Sequence, residues 1–243
     1  MRLLFAFIFC YLTLIANAVD NNRYYCDPDF DGIVLSRLGY RLGYDNISRQ
    51  AVWVAYRLTR NKLAEPPVAR SNRFHSDPEV SASADPKDYT RSGFDRGHLA
   101  PAADMSSSDE EMIESFLMTN ISPQTPSVNR GIWKRLERKV RDWAIKENSI
   151  YIITGPVHPR ESHLRPIGEN QVAVPESFYK VILDESEPRK MIGFVIPNTA
   201  TTNSFWSFAM SVDEVETLTG LDFFHGIPGE RKLEATCNPK DWK

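Results

Sequence analysis

The chain has 243 residues, 42% of them hydrophobic and 25% charged, which excludes disordered, collagen-like and fibrous proteins. Its 29 basic and 32 acidic side chains give a net charge of −3, so no global attraction draws in a polyanion. A nucleic-acid partner would have to be held by a local basic surface.

The N-terminus starts with Met1-Arg2, continues through an almost wholly apolar run from Leu3 to Ile15, and reaches the small-x-small pattern Ala16-Asn17-Ala18. The run is shorter than the roughly 20 residues needed to span a bilayer. It therefore reads as a secretory signal over residues 1–18, with no membrane association after cleavage and a secreted or periplasmic location. Residues 19–243 form one domain, since no linker long enough to divide them is visible. Cys10 leaves with the signal, and Cys26 and Cys237 remain. An even pair in an exported protein suggests a disulfide, with two free thiols as the alternative. Two thiols without a neighbouring His pair do not make a zinc site.

Gln50 to Leu58 (QAVWVAYRL) reads as a half-buried strand. Residues 64–92 read as loop, broken by Pro66-Pro67, Asp77-Pro78 and Asp85-Pro86. Ser108 to Glu111 is a capping box that predicts a helix through about Met118. A second helix is expected from about Arg130 to Lys146, with Ile132, Trp133, Leu136, Val140, Trp143 and Ala144 along one side. Strands are expected at 149–154, 178–183 and 191–196, and a short helix capped by Ser211 and ended by Gly220. Strands and helices alternate without the regular crossovers of a wound parallel sheet, so the fold class is mixed α+β.

Chemistry concentrates between residues 91 and 137. Asp95-Arg96-Gly97-His98 packs an acid, a guanidinium, a glycine and an imidazole into four positions, with Pro101 shaping the turn beyond. Asn129 and Glu137 lie eight residues apart, about 12 Å along and roughly 80° around a straight helix. One can touch a metal directly while the other reaches it through water. A neutral amide oxygen is a hard ligand suited to magnesium, which keeps several waters. Asn129 serves equally well as a helix N-cap, and Glu137 as a partner of Arg141 at i,i+4. Between Val128 and Lys146, seven basic residues face only Glu137 and Asp142. Such a run is either a solvated helix face or, beside a metal site, a phosphate track.

DRGH at 95–98, TNISPQ at 119–124 and NRGIW…LE at 129–137, in this order and spacing, resemble the DNA/RNA non-specific endonucleases of the Serratia nuclease and endonuclease G type. The likeness extends over about residues 30–235, through YDN at 44–46, VWVAYRLT at 52–59, YIITGPV at 151–157, VPESFYKV at 174–181 and SVDEVETLTGLDFF at 211–224. It implies a largely antiparallel sheet core flanked by helices, with a ββα-metal (His-Me finger) active-site motif. It also implies a Mg²⁺-dependent endonuclease, Mn²⁺ substituting, that cuts DNA and RNA to 5′-phosphate and 3′-hydroxyl ends.

In that reading His98 is the general base, and a near-neutral imidazole suits the role. Asn129 is the direct metal ligand, Glu137 holds a metal-bound water, and Arg96 contacts phosphate or developing charge. Asp95 orients the turn without ligating. The family's additional upstream arginine falls on Arg70 or Arg73, which spacing does not separate; Arg73 is the assignment made here. His75, His158, His163 and His225 match no motif and are assigned to surface or packing. Contacts to phosphate and metal read no base edge, so both nucleic acids are expected as substrates. An inhibitor protein and a homodimer stay open. The rival readings are a non-catalytic nucleic-acid-binding protein and a metal phosphodiesterase acting on small diesters.

Overall fold

The computed structural model describes residues 27–158 and 166–243. The signal assigned to residues 1–18, Cys26 with its proposed bond to Cys237, and His163 lie outside the described residues.

Seven strands form one antiparallel sheet in the order β1 (Ile33–Ser36), β2 (Arg41–Asp45), β3 (Gln50–Thr59), β6 (Ser149–Val157), β7 (Ser177–Asp184), β8 (Lys190–Pro197) and β9 (Ala209–Met210). The apolar runs seen in the sequence are its central strands. β3 is buried on both faces rather than one: Val54, Tyr56 and Leu58 enter one core, and Trp53 and Ala55 the other. The same alternation sends Ile150, Ile152, Phe178, Ile182, Ile192 and Phe194 one way and Tyr151, Ile153, Tyr179, Val181 and Leu183 the other.

Helix α3 (Lys134–Lys146) covers the first face with Leu136, Val140, Trp143 and Ala144, the stripe expected from its periodicity. Each such side chain withdrawn from water contributes about 1.5–3 kcal/mol. Trp143 adds a hydrogen bond from Nε1 to the Trp242 carbonyl at 2.5 Å. The opposite face is covered by α4 (Val212–Thr219), capped by Ser211 and ended by Gly220 at φ +73°, and by Phe223 and Phe224. The short α1 (Arg60–Ala64) follows β3, and α5 (Glu230–Glu234) lies near the C-terminus.

Between β3 and β6 the chain leaves the sheet and builds a second, two-stranded ribbon of β4 (Asp95–His98) and β5 (Ile121–Gln124). Its register pairs His98 with Ile121 and Asp95 with Gln124. Between the two strands runs α2 (Asp109–Ser115), capped by Ser108. It stops short of the expected Met118 because the Met118 amide donates instead to the His75 carbonyl at 2.9 Å. From β5 the chain enters a wide helical turn, Val128–Trp133, broken at Gly131 (φ −109°, ψ −106°), and then α3. The expected straight helix from Arg130 is thus two segments, and the straight-helix separation of Asn129 from Glu137 does not hold. Ribbon plus helix makes the ββα unit.

Candidate active site

The ribbon is pinned by buried amides. Asn120 accepts from the Ala100 N–H and donates to the carbonyls of Ala100 and Ser115, all at 2.9 Å, which fixes the chain just past His98. Asn198 receives the Thr125 N–H at 2.8 Å and donates to the Pro123 and Pro175 carbonyls, tying the end of β5 to the large sheet. Gly97 lets the ribbon close: a Cβ there would fall 2.3 Å from Gln124 Cδ.

Alternation along β4 sends Arg96 and His98 to one face and Asp95 and Gly97 to the other. His98 is buried, 5.5 Å from the Phe74 ring and edge-on to Phe116 at 4.8 Å, and its Nε2 has no hydrogen-bond partner. Burial first, and then the charge of Arg70, lower its pKa to about 3, so the ring is neutral across the physiological range. Arg96 donates from Nη2 to the Pro86 carbonyl at 2.6 Å and lies over Phe74 and Tyr89, while its buried Nε is unpartnered.

On the other face, Asp95 joins strand to helix. Its carboxylate accepts from Asn129 Nδ2 at 2.9 Å and from Arg130 Nε and Nη2 at 2.8 and 2.6 Å. These bonds hold the Asp95 carboxyl below its ordinary value despite partial burial. Asn129 is therefore no N-cap. Its amide nitrogen is committed to Asp95, which orients the amide and leaves the oxygen as its acceptor side. Asp95 acts as an orienting group, with a reach to the helix that the sequence did not reveal.

Glu137 sits in the first turn of α3 among charges from distant parts of the chain. Burial raises its pKa, helped by Asp104 and opposed by Lys180, Arg141 and Arg70. Asp104 is itself buried and bound by Arg141 at 2.7 Å and by the Tyr56 hydroxyl at 2.9 Å. Glu137 thus faces Arg141 within a network rather than as a simple helix-surface pair. Lys180, in the middle of apolar β7, is fully buried with an unpartnered Nζ, 4.9 Å from the centre of the Trp133 ring. Burial lowers its pKa, against the pull of Glu137 and Asp104.

The structure separates the two upstream arginines. Arg70 stacks over Phe116 at 5.0 Å, acts electrostatically on His98 and Glu137, and lines a groove of about 370 Å³ with Arg141, Ala102 and Met112. Arg73, the residue assigned from the sequence, is exposed and outside this cluster. At position 73 the backbone N–H turns onto the Ser71 hydroxyl, part of a loop whose direction spacing could not convey. Sequence reasoning also missed Asp104, Arg141 and Lys180 as site neighbours. A lone lysine within the apolar stretch FYKVIL was the one available signal.

The donor set fits a hard divalent cation. The Asn129 amide oxygen, oriented by Asp95, and the Glu137 carboxylate are hard oxygen donors of the kind such an ion takes, and no thiol stands among the described residues of the site.

The family model for DNA/RNA non-specific endonuclease matches residues 18–230. The chain belongs to that family. It is an enzyme of the nuclease class, and the family is metal-dependent. Membership sets aside the non-catalytic reading. The chain is 34% identical to a Nuclease of Nostoc sp. over 81% of its length and 75% of that protein's. It is 33% identical to mouse Nuclease EXOG, mitochondrial, over 82% of its length, spanning 59% of that protein. Among solved structures, the crystal structure of the EndoG/EndoGI complex matches with a TM-score of 0.75 at 34% identity, covering 82% of this chain and 89% of the other. This likeness accords with the α+β, largely antiparallel fold and its ββα-metal motif.

One expectation is overturned. The animal EXOG and Endonuclease G relatives and the yeast relative are named as mitochondrial, which conflicts with a secreted or periplasmic location. A short apolar N-terminus reports hydrophobicity and length, and those features alone did not fix the compartment.

Proposed function

We propose that this chain is a Mg²⁺-dependent endonuclease that hydrolyses phosphodiester bonds in both DNA and RNA without reading sequence, leaving 5′-phosphate and 3′-hydroxyl ends. One arrangement carries the proposal: β4 presents the uncharged His98 imidazole, and its Asp95 orients the amide of Asn129. His98 takes the proton of the attacking water as general base; its ring is uncharged and open to a proton, and its pKa of about 3 makes it a weaker base than the near-neutral imidazole expected from the sequence. Asn129 would hold the metal through its amide oxygen, and Glu137 would hold a water of the metal through its carboxylate. When bound, the metal supplies positive charge to the phosphate oxygens as bonds change, and Mn²⁺ substitutes for Mg²⁺. Arg70, at the groove, contacts the phosphate. Arg96, held by Pro86 through one nitrogen, adds positive charge from the His98 side of the strand.

The groove sets Arg70 beside Leu63, Val68, Ala102 and Met112, with Arg141 paired to Asp104 and Glu65 on its lining, so Arg70 is the guanidinium that takes the phosphate backbone and no base edge is read. We include an inhibitor protein among the partners, supported by the EndoG relative's complex with EndoGI. The test is digestion of supercoiled plasmid and total RNA with Mg²⁺, with EDTA, and by His98→Ala. Wild type should degrade both polymers with the metal, and either control should nearly abolish cleavage. Full cleavage by His98→Ala would remove it as base. Intact polymers alongside hydrolysis of bis(p-nitrophenyl) phosphate would favour the small-diester reading.

A further inference from the structure

A second group of carboxylates lies across the large sheet from the ββα unit, where α4 meets α5. Asp213 and Glu216, at i,i+3, share a face of α4, and Glu234 closes the group from α5. One carboxylate oxygen from each lies within 4.8 Å of the others. No described Lys or Arg forms an ion pair with any of the three. Like charges this close repel, and folding two short helices so that they meet through carboxylates needs a compensating charge.

Independently of the clustering, Glu234 points to what compensates. It is only 4% exposed, and its Oε1 is buried with no hydrogen-bond partner. A buried, unpartnered carboxylate oxygen is expensive unless something positive sits against it. The charges nearest it are Glu216, Glu230, Asp213 and Asp222, and every one is negative. Glu216 accepts the Phe223 N–H on Oε1 at 2.8 Å, which fixes that side chain and leaves Oε2 for a ligand.

We propose that Asp213, Glu216 and Glu234 form a structural site for a calcium-type cation that clamps α4 to α5, separate from the catalytic metal. Ligand chemistry favours calcium, because Mg²⁺ usually keeps several waters and takes one or two carboxylates. Three carboxylates binding through one or both oxygens, with water, fill a calcium shell without the strict octahedron that magnesium demands. A cation bound to the folded chain alone stabilises it by mass action.

The test is thermal unfolding of the metal-stripped full chain carrying Asn129→Ala, which removes the proposed catalytic ligand, with Ca²⁺ or Mg²⁺ added. Saturating Ca²⁺ should raise Tm by about 5 °C or more. Adding Glu234→Gln should abolish that rise, while Glu234→Gln alone should keep wild-type nuclease activity. If Glu234→Gln does not fold, Asp213→Asn, at an exposed position, takes its place with the same expected loss. An absent Ca²⁺ shift, a shift that survives both substitutions, or an equal shift with Mg²⁺ would overturn the assignment.

Discussion

Replacing His98 with alanine should flatten the acid side of the stability curve. In the fold this imidazole titrates at about 3, against an ordinary 6.5, because it is buried and faces Arg70. Between these values the unfolded chain binds a proton that the folded chain refuses. The resulting stability is present above pH 6.5 and is lost as pH falls toward 3. Linkage sets the loss between pH 7 and pH 5 at about 2 kcal/mol, which is roughly 4–8 °C of Tm for a chain of this size. His158, lowered to about 4 by burial, contributes equally to wild type and variant and cancels. The alanine also leaves a cavity against Phe74 and Phe116, so the quantity to compare is the change with pH, not the value at one pH. Urea unfolding of both proteins at pH 7, 6 and 5 measures it. Wild type should lose about 2 kcal/mol more than His98→Ala over this range. Parallel curves would mean that the ring takes up its proton in the folded state and that the buried, neutral base is wrong.

Asp95→Asn removes the charge that orients Asn129, so the Mg²⁺ concentration for half-maximal nicking should rise about 10–100-fold; an unchanged requirement would detach Asp95 from the metal ligand. Arg70→Ala should slow plasmid nicking about 10²-fold, and Arg73→Ala should leave it within about threefold of wild type; the reverse order would return the role to Arg73. Gly97→Ala drives a Cβ into Gln124 and should cost about 1–3 kcal/mol in urea unfolding; an unaltered midpoint would show that the ribbon can open. Lys180→Met removes the cation that most opposes the rise in the Glu137 pKa, so the acid limb of the nicking profile should move to higher pH; an unmoved limb would show that Lys180 does not act on Glu137.

What the sequence conveyed follows from where local pattern decides structure. β3, β6, β7, β8 and the apolar stripe of α3 were legible because long apolar runs have few other places to go. β4 and β5 carry polar strings, DRGH and ISPQ, the latter with a proline inside. They are strands only because buried amides of Asn120 and Asn198 secure their flanks. β1 and β2 were missed because both are short, and β2 is interrupted by Gly43. The break at Gly131 has no signature beyond glycine itself. The motif residues His98, Asn129 and Glu137 could be named through the family resemblance their motifs carry, and Arg70 as one of two candidates. Asp104 and Lys180 could not, because they arrive from a turn and a distant strand.

The pairing of β3 with β6, closed at Thr59 and Ser149, has a consequence for how the fold tolerates change. The groove arginines, the ribbon and the first turns of α3 all hang on a single excursion of about ninety residues between two adjacent strands. Closure entropy grows only with the logarithm of loop length, about 0.6 kcal/mol for each doubling. The sheet therefore acts as a clasp, and segments inserted at the exposed Glu65, Pro66 and Pro67 just after α1 can lengthen the groove surface without shifting one strand register.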